Sequence, residues 1–175
     1  MSRAIRFAPL VLLLLVIIAL VWRLATPADS NVHSALESKL VPAFDLPPAL
    51  PGKPALSAAN LATGQPRLLN VFASWCVPCI SEVKVLQELA RRGVRVDGVA
   101  VRDKPEDLAE FLARNGDPYE RIGSDSQSEL QISLGSSGVP ESFVIDGKGV
   151  IRYQHIGPIE ADDVPTILAK LEQAR

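Results

Sequence analysis

Two cysteines, Cys76 and Cys79, follow a short apolar segment and constrain the fold of this chain more than any other feature. The segment reads LLNVFASWCVPC, and these are the only cysteines among the 175 residues. The apolar run from Leu68 to Phe72 suits a buried strand. Apolar residues at helical spacing then predict a helix from about Cys76 to Arg92. The cysteine pair therefore lies where a buried strand passes into a helix.

The residues after this helix predict further strands and helices in alternation. VRVDGVAV (94–101) is typical of a second buried strand, and Pro105 is a suitable first residue for a second helix. Such a βαβα unit implies parallel strands joined by a right-handed crossover. SFVID and VIRYQHI flank a Gly-Lys-Gly turn at 147–149 and predict an antiparallel hairpin, and a last helix follows at about 161–173. The sequence therefore predicts an α/β fold with a mixed central β-sheet flanked by helices.

An uncharged apolar run predicts an N-terminal membrane anchor over residues 1–25. The run covers residues 7–22, follows Arg3 and Arg6, and would reach about 24 Å as a helix, which is a marginal span. A cleaved secretory signal begins in the same way, but Thr26-Pro27-Ala28 matches its cleavage pattern weakly, which favours a retained anchor. Arginines at the short N-terminal end predict a single pass with this end in the cytoplasm and the remainder of the chain outside.

A segment rich in Pro, Ala and Ser separates the anchor from one domain. We expect a tether over residues 26–40 and the folded domain over residues 41–175. The whole chain has 18 basic and 20 acidic residues, and removing Arg3, Arg6 and Arg23 leaves 15 basic and 20 acidic residues, a net charge of −5. This balance gives no reason to expect nucleic-acid binding, and the expected partners are proteins.

A C-x-x-C pair can be a structural disulfide, half of a metal site or a redox pair. A disulfide that closes a loop of about four residues adds only about 2 kcal/mol in the chain-entropy model. A structural zinc site needs four ligands, and the only histidines, His33 and His155, lie in the tether and on a distant strand. The sequence therefore favours a redox pair.

Each neighbour of the pair has a physical role in redox chemistry. Cys76 at the helix cap faces backbone N–H groups and the positive end of the helix dipole, which stabilise a thiolate. Pro78 has no N–H, so the expected cap donor is the N–H of Cys79. Cys79 lies one turn deeper on the same face, where it can attack a mixed disulfide formed at Cys76.

The two most distinctive segments resemble those of the DsbE/CcmG family, which are membrane-anchored, thioredoxin-like thiol-disulfide interchange proteins of cytochrome c maturation. NVFASWCVPC is similar to the active-site segment, and GVPESFVIDGKGVIRYQHIGPI (138–159) resembles the second signature. The similarity covers roughly residues 40–172 and the anchor. It implies a thioredoxin-like fold and a protein-disulfide reductase that needs no cofactor beyond a Cys76–Cys79 disulfide. It also implies apocytochrome c or a maturation factor as substrate, and a membrane thiol transporter as electron donor.

The same resemblance assigns substrate-binding roles to four residues. Pro140 falls where the family has a cis-proline beside the cysteines, with the backbone of Val139 available to pair with an extended substrate segment. Glu141 matches the acid that follows this proline, and Trp75 matches the aromatic residue that flanks the site. Trp75 is equally compatible with a core position at the end of the strand.

Glu82 follows Cys79 by three residues, and the family associates an acid at this position with the active site. A partly buried carboxylate there can accept the proton of Cys79 when that thiol attacks the mixed disulfide. In the alternative interpretation, Glu82 is a solvated acid that only complements the helix dipole.

Three other functions stay open at this point. The chain can be an anchored reductase for another envelope target, or a non-catalytic docking or chaperone module with a static disulfide. The same motif also serves oxidants, because the reduction potential depends on how strongly the reduced form is stabilised.

Overall fold

The computed structural model describes residues 3–25 and 36–175, and the chain divides into two units, residues 1–32 and residues 33–175. The first unit contains helix α1 (Arg3–Ala25). Within the described parts of the chain, no helix combines the length and the apolar character needed to cross a membrane. Most of the predicted tether, residues 26–35 with His33 and the weak cleavage site, lies outside the described residues.

The second unit is built around a five-stranded sheet with the strand order β5-β4-β3-β6-β7. Strands β3, β4 and β5 are parallel, while β6 is antiparallel to both β3 and β7. The elements are β1 (Asp45–Leu46), β2 (Leu56–Ser57), α2 (Ala58–Leu61), β3 (Arg67–Phe72), α3 (Val77–Arg91), β4 (Val96–Val101), α4 (Pro105–Asn115), β5 (Arg121–Asp125), α5 (Glu129–Ser133), β6 (Glu141–Ile145), β7 (Ile151–Ile156), a 3₁₀ turn (Ala161–Asp163) and α6 (Val164–Gln173). The mixed sheet, the β3–α3–β4–α4 unit and the β6–β7 hairpin confirm the predicted fold.

Strand β5 was not predicted, because its sequence RIGSD lacks an apolar run. The strand forms because hydrogen bonds are available on both of its sides. One side pairs with β4, and on the other the N–H of Ala49 donates to Ile122 at 2.9 Å, and the N–H of Ser124 donates to Pro47 at 2.9 Å. These partners lie far away in sequence, so the residues of β5 alone do not predict a strand.

The core has two layers, one on each face of the sheet. Apolar residues of α3, α4 and α6 form the first layer with alternate residues of β3, including Leu68 and Phe72. The intervening residues Leu69 and Val71 face the second layer, which contains residues of β2, α2 and α5. Helices therefore lie on both faces, as predicted, but the three long ones share one face. Because α3 starts directly after β3, Cys76 lies at the carboxyl end of the central strand.

Candidate active site

Cys76 and Cys79 form a disulfide at the N-terminus of α3. Cys76 is the N-cap residue, and its Sγ accepts a hydrogen bond from the backbone N–H of Cys79 at 3.2 Å. This confirms the predicted cap donor. In the reduced protein, this donor and the helix dipole favour a thiolate at Cys76. Cys76 also keeps slightly more exposed surface than Cys79, 4% against 1%, which agrees with its predicted role as the first cysteine to react.

Glu82 lies one turn below Cys79 on the buried side of α3 and is 1% exposed. Its Oε1 accepts a hydrogen bond from Asn70 Nδ2 at 3.0 Å, and its Oε2 accepts one from the backbone N–H of Ile159 at 3.2 Å. Burial raises the pKa of Glu82 to about 7, while the two hydrogen bonds act in the opposite direction. The alternative of a solvated acid is therefore wrong. A carboxyl group with this pKa can exchange a proton near neutral pH.

The Val139–Pro140 peptide bond is cis, which confirms the conformation expected at this position. Pro140 is buried, and Val139 packs against the cluster of buried side chains that includes both cysteines. Val139 also lies just before β6, outside the residues that pair with β7. Val139 also borders the other core layer, so this segment lies where the two layers meet, in contact with the layer that holds the disulfide.

Glu141 is 1% exposed and uses both carboxylate oxygens within the fold. Its Oε1 accepts hydrogen bonds from the N–H and the hydroxyl of Ser137, at 3.0 and 2.6 Å, and its Oε2 accepts one from Gln154 Nε2 at 3.2 Å. These contacts hold the segment that leads to the cis-proline. Direct contact between Glu141 and a substrate stays a prediction.

Trp75 is 58% exposed, so its alternative placement in the core is wrong. It lines a cleft of about 300 Å³ together with Ile80 and Phe111. Val77 and Ile80 are also exposed, at 74% and 43%. Apolar surface therefore borders Cys76 where a partner protein would approach.

The polar partners of Glu82 were not predicted from the sequence. Asn70 lies in the centre of β3, and it contacts Glu82, Ser142 of β6 and the hydroxyl of Tyr119. A single amide within the apolar run LLNVF was the available signal, because a buried polar side chain needs hydrogen-bond partners. The partners themselves lie 12, 72 and 49 residues away along the chain.

Asp103, which follows β4, was not among the predicted site residues. Its carboxylate accepts hydrogen bonds from the N–H of Ser74 at 2.6 Å and from the Ser74 hydroxyl at 2.5 Å. Ser74 lies two residues before Cys76. Asp103 therefore fixes the loop between β3 and α3.

A disulfide held at a helix cap and bordered by an exposed apolar surface can exchange electrons with a disulfide of another protein. On this fold, the chain is a thiol-disulfide oxidoreductase of the thioredoxin-like class.

Comparisons with known proteins give the family. The Redoxin family model matches residues 36–171. The chain is 40% identical over 166 residues to the thiol:disulfide interchange protein DsbE of Tatumella citrea. The aligned residues cover 93% of this chain and 90% of that protein. It is 37% identical over 163 residues to the protein of the same name from Escherichia coli K12, with 91% and 88% covered. A solved thiol:disulfide interchange protein of Chlorobium tepidum superposes with a TM-score of 0.60 at 27% identity, covering 84% of this chain and 99% of that one. The chain belongs to the DsbE family of thiol:disulfide interchange proteins.

Proposed function

We propose that this chain reduces disulfides in apocytochrome c, or in a maturation factor that handles it, during cytochrome c biogenesis. The observation that carries thiol-disulfide exchange is the arrangement of α3, where Cys76 receives the cap hydrogen bond and Glu82 is buried one turn below Cys79. The reducing direction is supported by the resemblance to the DsbE/CcmG branch. The choice of substrate is supported by family membership and by the resemblance of the two motifs to the DsbE/CcmG branch.

The proposed reaction has two exchange steps. The Cys76 thiolate attacks a disulfide of the partner, so that a Cys76–partner disulfide forms and the partner's other sulfur leaves as a thiolate and takes up a proton. Cys79 then loses its proton and attacks Cys76 Sγ, which releases the second partner sulfur. Two electrons pass from the Cys76–Cys79 pair to the partner, and the pair ends as the disulfide seen in the structure.

Glu82 accepts the proton of Cys79 in the second step. A carboxyl group with a pKa of about 7 is partly ionised at neutral pH and can accept a proton from a neighbouring thiol. The partner's extended segment pairs with the backbone of Val139 beside Pro140, and it covers Trp75. Glu141 supports the same segment through Ser137.

The first 25 residues form the anchor in this proposal, a tether follows, and the catalytic domain lies in the periplasm. Residues 38–40, which were predicted to end the tether, hydrogen-bond to β7 and its preceding turn and therefore belong to the domain. The side chains of residues 12–18 in α1 are apolar or small and exposed, which suits contact with lipid. A membrane thiol transporter returns the Cys76–Cys79 disulfide to the dithiol. Carbonate extraction tests the anchor: the full chain should stay with membranes, and a chain without residues 1–25 should be released.

Trapping of the mixed disulfide tests the chemistry. Purified Cys79→Ser protein is mixed with an oxidised peptide that carries the C-x-x-C-H haem-attachment sequence of a cytochrome c, or with an unrelated peptide that has the same two-cysteine spacing. We expect a covalent adduct that accumulates faster with the haem-attachment peptide. Cys76→Ser protein is the matched control and should give no adduct. Equal rates with both peptides would favour a reductase for another envelope target.

Complementation tests the static-module alternative. In a strain that lacks its own DsbE, the wild-type chain should restore holocytochrome c, and a chain with Cys76→Ser and Cys79→Ser should not. Restoration by the double variant would show that the cysteines are dispensable, and the reductase proposal would fail.

A further inference from the structure

A chain of buried hydrogen bonds connects Glu82 to Tyr119 through Asn70. The Tyr119 hydroxyl lies 2.8 Å from Asn70 Oδ1 and donates to it. Asn70 Nδ2 donates to Glu82 Oε1 at 3.0 Å and to Ser142 Oγ at 3.0 Å. All four residues are less than 5% exposed. The two hydrogens of the amide nitrogen are therefore both used, one of them on the carboxylate.

The Tyr119 hydroxyl determines which end of the Asn70 amide faces Glu82. Burial raises the pKa of Tyr119 well above its usual value, and the nearby Glu82 charge acts in the same direction, so the hydroxyl keeps its proton. A buried O–H needs an acceptor, and in the part of the chain that the structure describes the amide oxygen of Asn70 accepts this hydrogen bond. With its oxygen fixed by Tyr119, the amide must point its N–H groups toward Glu82 and Ser142.

The surroundings of Tyr119 hold its ring in this position. The ring stacks on Phe72, with centroids 4.5 Å apart and planes 17° apart. Gly98 on β4 leaves the space for both rings, because a Cβ there would lie 2.8 Å from Phe72 Cε1 and 3.0 Å from Tyr119 Cδ1. The hydroxyl is therefore fixed by packing on the side of the sheet that carries α3.

We propose that Asn70 and Tyr119 are positioning residues for Glu82: the Tyr119 hydroxyl orients the Asn70 amide so that its N–H holds the Glu82 carboxylate in its ionised form. This inference rests on the proposed role of Glu82 as the acceptor of the Cys79 proton. An amide turned the other way would present its oxygen to Glu82 and favour the protonated acid, which cannot accept a proton.

Few other ionisable groups face Glu82 from the elements that pack around it. Tyr119 is on the far side of Asn70, and Cys79 is one turn away on α3 and does not titrate while it is in the disulfide. The segment at Ile159 contributes a backbone N–H, and β6 contributes Ser142 through Asn70. Glu141 precedes Ser142 on β6 and bonds to Ser137 and Gln154 instead. The titration of Glu82 in the oxidised protein therefore reports on this network.

The test follows the Glu82 carboxyl carbon by ¹³C NMR across pH in the oxidised protein, with the resonance identified by its loss in Glu82→Gln. Tyr119→Phe removes one hydroxyl, and we expect it to raise the pKa of Glu82 by about 0.5, since the amide loses its fixed orientation. Tyr153→Phe is the matched control, because Tyr153 contacts Lys170 and lies outside the network. It should leave the pKa unchanged. Superimposable titrations of wild type and Tyr119→Phe would overturn the inference.

Asn70→Ala provides a second variant with a larger expected effect. A hydrogen bond to a charged group corresponds to a pKa change of about 1 to 2, so the pKa of Glu82 should rise by at least about 1. The acid limb of the pH profile for substrate reduction should move to higher pH in both variants, whereas a purely structural defect would lower the rate at every pH. If Glu82→Gln leaves that profile unchanged, the catalytic role of Glu82 fails, while the NMR titrations still decide the positioning inference.

Discussion

Glu82 is a buried acid that neutral donors hold in place. Among the described residues, no lysine or arginine forms an ion pair with it, and its partners are an amide and a backbone N–H. Without a cation, burial dominates and raises its pKa to about 7. A buried acid of this kind reduces stability once it ionises.

Glu82→Gln should therefore change how stability depends on pH. Because the folded-state pKa is raised from 4.5 to about 7, the folded protein binds this proton more tightly than the unfolded chain does. The contribution of the protonated Glu82 carboxyl group to the free energy of unfolding is complete below about pH 4.5, and it is lost as the pH rises through 7. We expect the free energy of unfolding of oxidised wild type, measured with urea, to fall by roughly 3 kcal/mol relative to Glu82→Gln between pH 4.5 and pH 8.

Glu106→Gln on the exposed side of α4 is the control for this prediction. Its pH dependence should follow that of wild type. Parallel curves for wild type and Glu82→Gln would show that Glu82 ionises with an ordinary pKa, and its proposed role in proton transfer would lose its basis.

The relative positions of site residues could be predicted where the residues lie close together on one helix. Cys76, Cys79 and Glu82 lie within two turns of one helix, so the order of the cysteines and the place of Glu82 one turn after Cys79 follow from sequence, while the burial of Glu82 needed the structure. Asn70 and Tyr119 could not be predicted, because they meet through a parallel sheet and a crossover, 49 residues apart. Trp75 also needed the structure, since an aromatic residue after an apolar strand suits either the core or the surface.

At the scale of elements, the junction between β3 and α3 depends on a neighbouring loop. Asp103 follows β4 and binds both the N–H and the hydroxyl of Ser74. Parallel strands bring their carboxyl ends to the same edge, which is why the loop after β4 reaches the loop after β3. Asp103 thus stabilises the backbone from which Cys76 starts the helix.

Asp103→Ala should lower the free energy of unfolding by about 1 to 3 kcal/mol, because it leaves the half-buried Ser74 N–H and hydroxyl without their partner. Asp107→Ala, in the exposed first turn of α4, is the control and should change stability by less than about 0.5 kcal/mol. Urea unfolding measures both. Equal effects of the two substitutions would mean that the Asp103 contacts do not stabilise the loop.

The long elements could be predicted from sequence, and the short ones could not. β3, α3, β4, α4 and the β6–β7 hairpin carry their own apolar period or turn residues. β5, α5 and the β1–β2 pair are short. β5 forms because it pairs with the edge of the sheet at β4, and β2 and α5 are held by packing against the second core layer. Tertiary contacts decide such segments more strongly than local preference does.

At the scale of the whole molecule, the two cysteines and a buried ion pair lie at opposite ends of the central strand β3. Arg67 begins β3, at the opposite end of the strand from Cys76. It is fully buried and pairs with Asp97, which is also fully buried, and with Glu120 at 2.7 Å. Burial of both charges makes this pair sensitive to loss of either partner.

Arg67→Met should lower the free energy of unfolding by about 3 to 5 kcal/mol, since it leaves the Asp97 carboxylate buried without its main partner. The reduction potential of the folded variant should stay that of wild type, because the cysteines lie at the other end of β3. Arg114→Met is the control: it breaks an exposed pair with Glu110 on α4 and should cost less than about 1 kcal/mol. A changed potential in Arg67→Met would show that the two ends are coupled.

The equilibrium reduction potential of the Cys76–Cys79 pair tests the central claim most directly. It can be read by thiol alkylation of the purified protein across a glutathione or dithiothreitol series. We expect a value between about −200 and −270 mV, in the range of glutaredoxin and thioredoxin, for a reductase. A value near about −120 mV would make the protein an oxidant and would contradict the proposed direction of electron flow.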